Sequence, residues 1–207
     1  MKRPAFRFAT VAVLSLLAMS FYARAILVAP ESPSVRAFGD NQDWILLEEM
    51  IYSFGNTKKK VLVPAGFVTD FASIPPALAA IGLSAQGQYS RAAIVHDYLY
   101  WTQVCTRDQA DRILVIAMKE SDVGVVDEAT IYQGVHVFGQ SAWDANGRER
   151  SQSLPRVVPE RLRRPTDPNE TWPSYRKVLV ERGIKDPAFE KNPTYCSYGD
   201  SFKIPRI

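Results

Sequence analysis

Histidine and cysteine are scarce in this chain, two of each in 207 residues. The two cysteines, Cys105 and Cys196, can make one bridge, but neither a disulfide scaffold nor a four-thiolate zinc site. With histidine only at positions 96 and 136, the His-Glu-x-x-His zinc helix is excluded. Ser73 and Ser90 lack the glycine elbow of a serine nucleophile, and Cys105 has no obvious base near it. An excess of one charge is missing too. Four of the 25 basic residues and none of the 22 acidic ones lie in positions 1–25, which leaves 21 basic against 22 acidic beyond them. A basic patch for nucleic acid therefore has no support in the overall balance, and no nucleic-acid partner is expected. Internal repeats are absent as well.

What is present is material for one core: 46% of the residues are hydrophobic and 11% aromatic. Residues 1–25 read as a secretory signal peptide. Lys2, Arg3 and Arg7 precede an uncharged run, Phe8 to Tyr22, and Ala23-Arg24-Ala25 supplies small residues for cleavage. That run falls short of the roughly 20 residues of a membrane span. Ile26 to Ala29 could lengthen it, so an uncleaved N-terminal anchor is the alternative. An exported protein, periplasmic or extracellular, is expected, in a setting where a Cys105–Cys196 bridge would persist.

The remainder reads as an α+β domain: a small helical core of three main helices beside a β-hairpin, with a Pro/Arg-rich C-terminal extension. Residues 26–43 form a loop-like linker. Ile45 to Phe54 is one strand, Gly55-Asn56 the turn and Lys60 to Val63 the return. Ser73 caps a short helix with prolines in its first turn, and 82–88 is a flexible link. The first core helix covers Tyr89 to Tyr100. The second starts at a capping box, Thr106 with Gln109, and runs to about Glu120 with Arg107, Asp108 and Arg112 on its outside. The third, Asp127 to Trp143, turns Ile131, Val135, Phe138 and Ala142 inward. The globular domain thus spans 44–143. Residues 144–207 hold eight prolines and read as a wrapping extension, helical only in "SYRKVLVERG". Asn169 in "NET" has the form of a glycosylation acceptor, with chemistry only in a cell that glycosylates.

The residues with chemical promise lie in "SRAAIVHDYLYW". On a helix Asp97 is turned about 100° from His96, and Tyr100 shares the His96 face. A helix returning antiparallel brings Asp111 toward that face, while Asp108 suits the exposed first turn. A carboxylate on one ring nitrogen aims the other at water. Asp97 on the other face could hold a hard cation such as Ca²⁺, which would polarise a carbonyl. Several alternatives stand beside this. His96 is a core-edge histidine bonded to Asp70 or Asp111. Asp70 caps the turn through the amides of Ala72 or Ser73, or else serves as a third acid or metal ligand. Zinc could take Asp70, His96 and either Asp97 or Asp111. His136, among apolar neighbours in "YQGVHVFGQ", reads as a satisfied core histidine.

The strings "PAGFVTDFASIP" and "AAIVHDYLY" closely resemble the family named domain of unknown function 1353, found in phage and bacterial proteins, over Trp44 to Trp143. That family name implies no activity. "AAIVHDYLY" with "QADRI" also resembles the His-Asp helices of secreted and viral phospholipase A(2) domains. The resemblance implies His96 as water-activating base, Asp97 as calcium ligand, Tyr100 as hydrogen-bond donor to the second carboxylate, and Asp111 as orienter. The chain departs from that pattern in lacking the glycine-rich calcium loop, for which Gly66 is the one substitute, and the disulfides flanking the helices. The expected function is an exported envelope hydrolase, acting on lipid esters or on the cell wall. The other expectation is a non-catalytic phage-derived or envelope assembly module in which the cluster locks two helices together.

Overall fold

The structure, a computed structural model, describes residues 32–71, 89–165 and 167–203. The signal peptide, the Ser73-capped helix, the 82–88 link and the amides proposed for Asp70 to cap lie outside the described residues. The fold class is α+β: five short antiparallel strands among the described residues stand beside the helices.

Strand β1 (Val35–Ala37) lies in the stretch read as linker, pairs with β2 (Trp44–Leu46), and β2 pairs with β5 (Val68–Thr69). A separate hairpin joins β3 (Met50–Ser53) to β4 (Lys60–Val63), with Met50 opposite Val63 and Ser53 opposite Lys60. The single strand expected over Ile45 to Phe54 is therefore two strands in two sheets. Parity explains the break. Leu46, Met50, Tyr52 and Phe54 are all buried, so an unbroken strand would turn Glu48 to the core as well. The chain leaves the ladder at 47–49 instead, and Glu48 stays exposed.

Three helices hold the larger core: α1 (Ser90–Thr102), α2 (Arg107–Glu120) and α3 (Val125–Ser151). Helix α1 is covered nearly all round, with Ala92, Ala93, Ile94, Val95, Leu99 and Trp101 fully buried, as expected of a central helix. The Thr106–Gln109 capping box is formed in both directions, at 3.2 and 2.9 Å. Helix α3 is longer than expected, and it is rotated. Glu128, Ile131 and Gly139 face inward, while Phe138 is 70% exposed and Ala142 is on the surface. Glycine carries no hydrophobic signal, yet Gly139 sets this face: a Cβ there would sit 2.3 Å from the Tyr100 hydroxyl. The aromatic ring of Tyr100 occupies the space the missing side chain leaves.

Beyond α3 the chain returns along the three-stranded sheet, beside β5. Val68 N–H donates to the Arg156 carbonyl and Val158 N–H to that of Gly66. Gly66 adopts φ +92°, and a Cβ on it would lie 2.0 Å from the Val158 oxygen, so this crossing needs glycine. Helix α4 (Trp172–Glu181) is capped by Thr171 and ends in a Schellman motif, with Gly183 N–H bonded to Val180 and Ile184 N–H to Leu179. Its Trp172, Tyr175 and Leu179 close a second core with Phe38, Ile45, Val68 and Val158. Asp186 ties the return segment to α1, accepting from Trp101 Nε1 at 2.6 Å and from the amides of Arg156 and Val157. Cys105 and Cys196 are bridged, across 91 residues of chain.

Candidate functional site

The two successive polar residues of α1 point into different networks, as their 100° separation requires. On one side His96 Nε2 lies 3.0 Å from Asp111 Oδ1, and the Tyr100 hydroxyl donates to the same oxygen at 2.6 Å. Arg107 Nη1 donates to Asp111 Oδ2 at 3.1 Å, from one turn earlier on α2. Asp111 is completely buried, and it accepts from three donors. Such an arrangement keeps the charge inside at modest cost, because every donor that faces it is matched. Burial, reinforced by the Asp111 charge, pushes the Tyr100 hydroxyl well above its ordinary range, so it stays a donor at any working pH.

Arg107 was expected on the outside of α2. Its guanidinium instead turns under α3, where Nη1 also reaches the carbonyls of Val135 at 3.4 Å and His136 at 3.2 Å. The Arg-x-x-x-Asp spacing was the available signal for it. His96 is 3% exposed. With Nε2–H given to Asp111, the lone pair rests on Nδ1, and that nitrogen has no hydrogen bond to any described residue.

On the other side of α1, the Thr69 hydroxyl donates to Asp97 Oδ2, and the same Thr69 oxygen accepts from the Phe71 amide at 3.0 Å. The Asp70 carboxyl, a third exposed, is within hydrogen-bonding reach of Asp97. Arg156 stands 3.8 Å from Asp70, but its guanidinium is shared with the Val68 carbonyl at 2.8 Å and Asn146 at 3.1 Å. Burial and then the Asp70 charge raise the Asp97 carboxyl well above the usual range, against the opposing pull of Arg156 and Thr69. Asp43, across from β5, is raised to about 6, by burial first and by Asp70 second. A carboxyl that keeps its proton toward neutral pH can donate as well as accept.

The structure therefore brings His96, Tyr100 and Asp111 together, and separately Asp97 and Asp70. His96 and Asp70 are not partnered in any described bond. Zinc held jointly by Asp70, His96 and an aspartate finds no support in this geometry: among the described residues no group of three or more His, Cys, Asp and Glu side chains is placed to hold a metal. Gly66, the proposed remnant of a calcium loop, is occupied with the backbone crossing to Val158. His136 is exposed rather than in the core, its ring stacked on Tyr132 at 5.5 Å. Thr69, Arg107, Asp43 and Arg156 were not singled out from sequence. Thr69 sits inside "GFVTDFAS", whereas Asp43 and Arg156 reach the site only through strand pairing and the return of the chain.

None of the helices among the described residues is long and apolar enough to cross a membrane. No curated protein and no solved structure matches the chain. A family model does match, over residues 44–135, a span that contains both partners of His96 and both carboxyls of the Asp70–Asp97 pair. The family it matches is described as protein of unknown function (DUF1353), and the match covers less than half of the chain.

Proposed function

We propose that this protein is an exported hydrolase of the cell envelope in which His96 activates water. The observation that carries the reading is the Asp111 carboxylate, which receives His96 Nε2 and the Tyr100 hydroxyl on one oxygen and Arg107 on the other. This holds the ring in one tautomer with Nδ1 as the base. In the reaction Nδ1 takes a proton from water as the oxygen attacks the ester or amide carbonyl. The imidazolium formed is stabilised by Asp111, and the proton then passes to the leaving oxygen or nitrogen. Asp97 and Asp70, on the adjoining face, are the groups that would meet the developing charge, as a protonated carboxyl or as two oxygen ligands of Ca²⁺. When bound, that ion would supply electrophilic assistance at the carbonyl oxygen. The Cys105–Cys196 bridge supports an oxidising location outside the cytoplasm.

The same burial favours a second reading, a non-catalytic envelope or phage-derived assembly module. His96 is 3% and Asp97 6% exposed, and both networks tie α1 to its neighbours. One experiment separates the two. Wild type and His96→Gln are incubated, with and without calcium, with phospholipid vesicles and with purified cell-wall sacculi. Product from one substrate, lost by at least about a hundredfold in a folded His96→Gln, is expected for the hydrolase. Equal turnover by both proteins, or none on either substrate, leaves the assembly module.

A further inference from the structure

A cleft of about 590 Å³ opens on the far end of α1 from His96, where Thr102–Val104, the last turn of α3 and residues 185–192 meet. Its volume is that of a small-molecule site. The charges in its wall are unequal in number and in commitment. Asp186 is engaged by the Trp101 indole and two backbone amides, and Glu190 lies exposed on the rim. Against these stand Arg150, Lys185 and Lys191, and none of the three has a carboxylate within ion-pair distance among the described residues. Arg150 is half-buried, with its guanidinium 5.9 Å above the centre of the Phe189 ring. A guanidinium placed over an aromatic ring keeps its N–H groups for a partner. The plain alternative is that Arg150 only complements the negative end of the α3 dipole. Arg148, exposed in the same last turn and not in the cleft wall, serves that dipole equally and is the natural control.

We propose that this cleft binds a small organic anion, a carboxylate or a phosphate monoester, with Arg150 forming the paired hydrogen bonds, Lys185 and Lys191 adding charge, and Phe189 and Leu154 covering the apolar part of the ligand. The site does not depend on the hydrolase reading, since it shares no residue with the His96 or Asp97 networks. An anion with a short apolar body fits it better than a bare ion does, because half of the approach is over carbon.

The test is calorimetric titration of the intact, disulfide-bonded chain with N-acetyl-alanyl-alanine and, separately, with glycerol 3-phosphate; inorganic phosphate is a third arm. Saturable binding of one organic anion is expected, at least about fivefold tighter than inorganic phosphate, and the arm that binds tells carboxylate from phosphate. Arg150→Gln is expected to weaken it at least about tenfold and Arg150→Lys about threefold, since lysine keeps the charge but loses the fork. Arg148→Gln is expected to leave it unchanged. Lys185→Ala combined with Lys191→Ala, both at exposed positions, gives an independent loss of about fivefold should Arg150→Gln fail to fold. Absence of saturable binding by about 10 mM in all three arms overturns the proposal. So does an equal effect of Arg148→Gln and Arg150→Gln, which would reduce the cleft to general charge.

Discussion

The two sides of α1 handle a buried carboxylate in opposite ways. Asp111 lies opposite three donors, one of them a guanidinium, and its neighbours leave the negative charge well matched. Asp97 has a hydroxyl donor and a second carboxyl, and the cation nearest that pair divides its hydrogen bonds among other acceptors. Burial alone does not decide what a carboxylate does; the charge of its neighbours does as well. A carboxylate facing a guanidinium and two further donors stiffens the structure, while one buried beside a second carboxyl is raised toward holding its proton.

That contrast can be broken from either side. Asp111→Ala is expected to have the largest effect, a loss of about 3–5 kcal/mol in urea unfolding, because it strands the Arg107 guanidinium and two further donors in the interior. A loss below about 1 kcal/mol would mean the network is not what fixes α1 to α2. Gly139→Ala comes next. Alanine in an open helix would help by up to about 1 kcal/mol, yet here its Cβ meets the Tyr100 hydroxyl, so a net loss of about 1–3 kcal/mol is expected. A stabilised variant would show that α3 is not seated there. Tyr100→Phe removes the 2.6 Å bond while keeping the ring, and a loss of about 1 kcal/mol is expected from the same measurement.

The Asp97 side gives the smallest effect and the one that depends on pH. The folded-state value of Asp97 lies above its ordinary value, so ionisation opposes folding. The penalty is absent below about pH 3, where the proton is on in both states, grows as pH rises past the ordinary carboxyl value, and levels off above the folded-state value. Asp97→Asn keeps the shape and mimics the protonated form. Its unfolding midpoint should therefore equal that of wild type at about pH 3 and exceed it increasingly as pH rises toward neutrality. A difference that does not change with pH would place no shared proton at this pair.

Much of the Asp111 side was legible in the sequence. Helical spacing alone puts Tyr100 on the His96 face, and the Thr106–Gln109 box fixes where α2 starts and so which way Asp111 points. Arg107 was readable from its four-residue separation from Asp111 but was assigned to the outside, because a long charged side chain in a first turn is usually solvated. The Asp97 side was less legible. Its partners come from β5, a strand of two residues, and from Arg156, which arrives by a backbone crossing that only Gly66 permits. Neither leaves a periodic signal. The strand break at Glu48 could have been found by counting parity. The rotation of α3 could not, because it turns on the empty side of a glycine next to an exposed phenylalanine.

The Cys105–Cys196 bridge has a consequence for survival under proteolysis. The loop it closes contains α2, α3 and α4, nearly half the chain. A protease that cuts once anywhere inside that loop leaves two pieces that remain covalently one molecule. Such a nicked protein would run as a single band until a reductant is added, and only then as two.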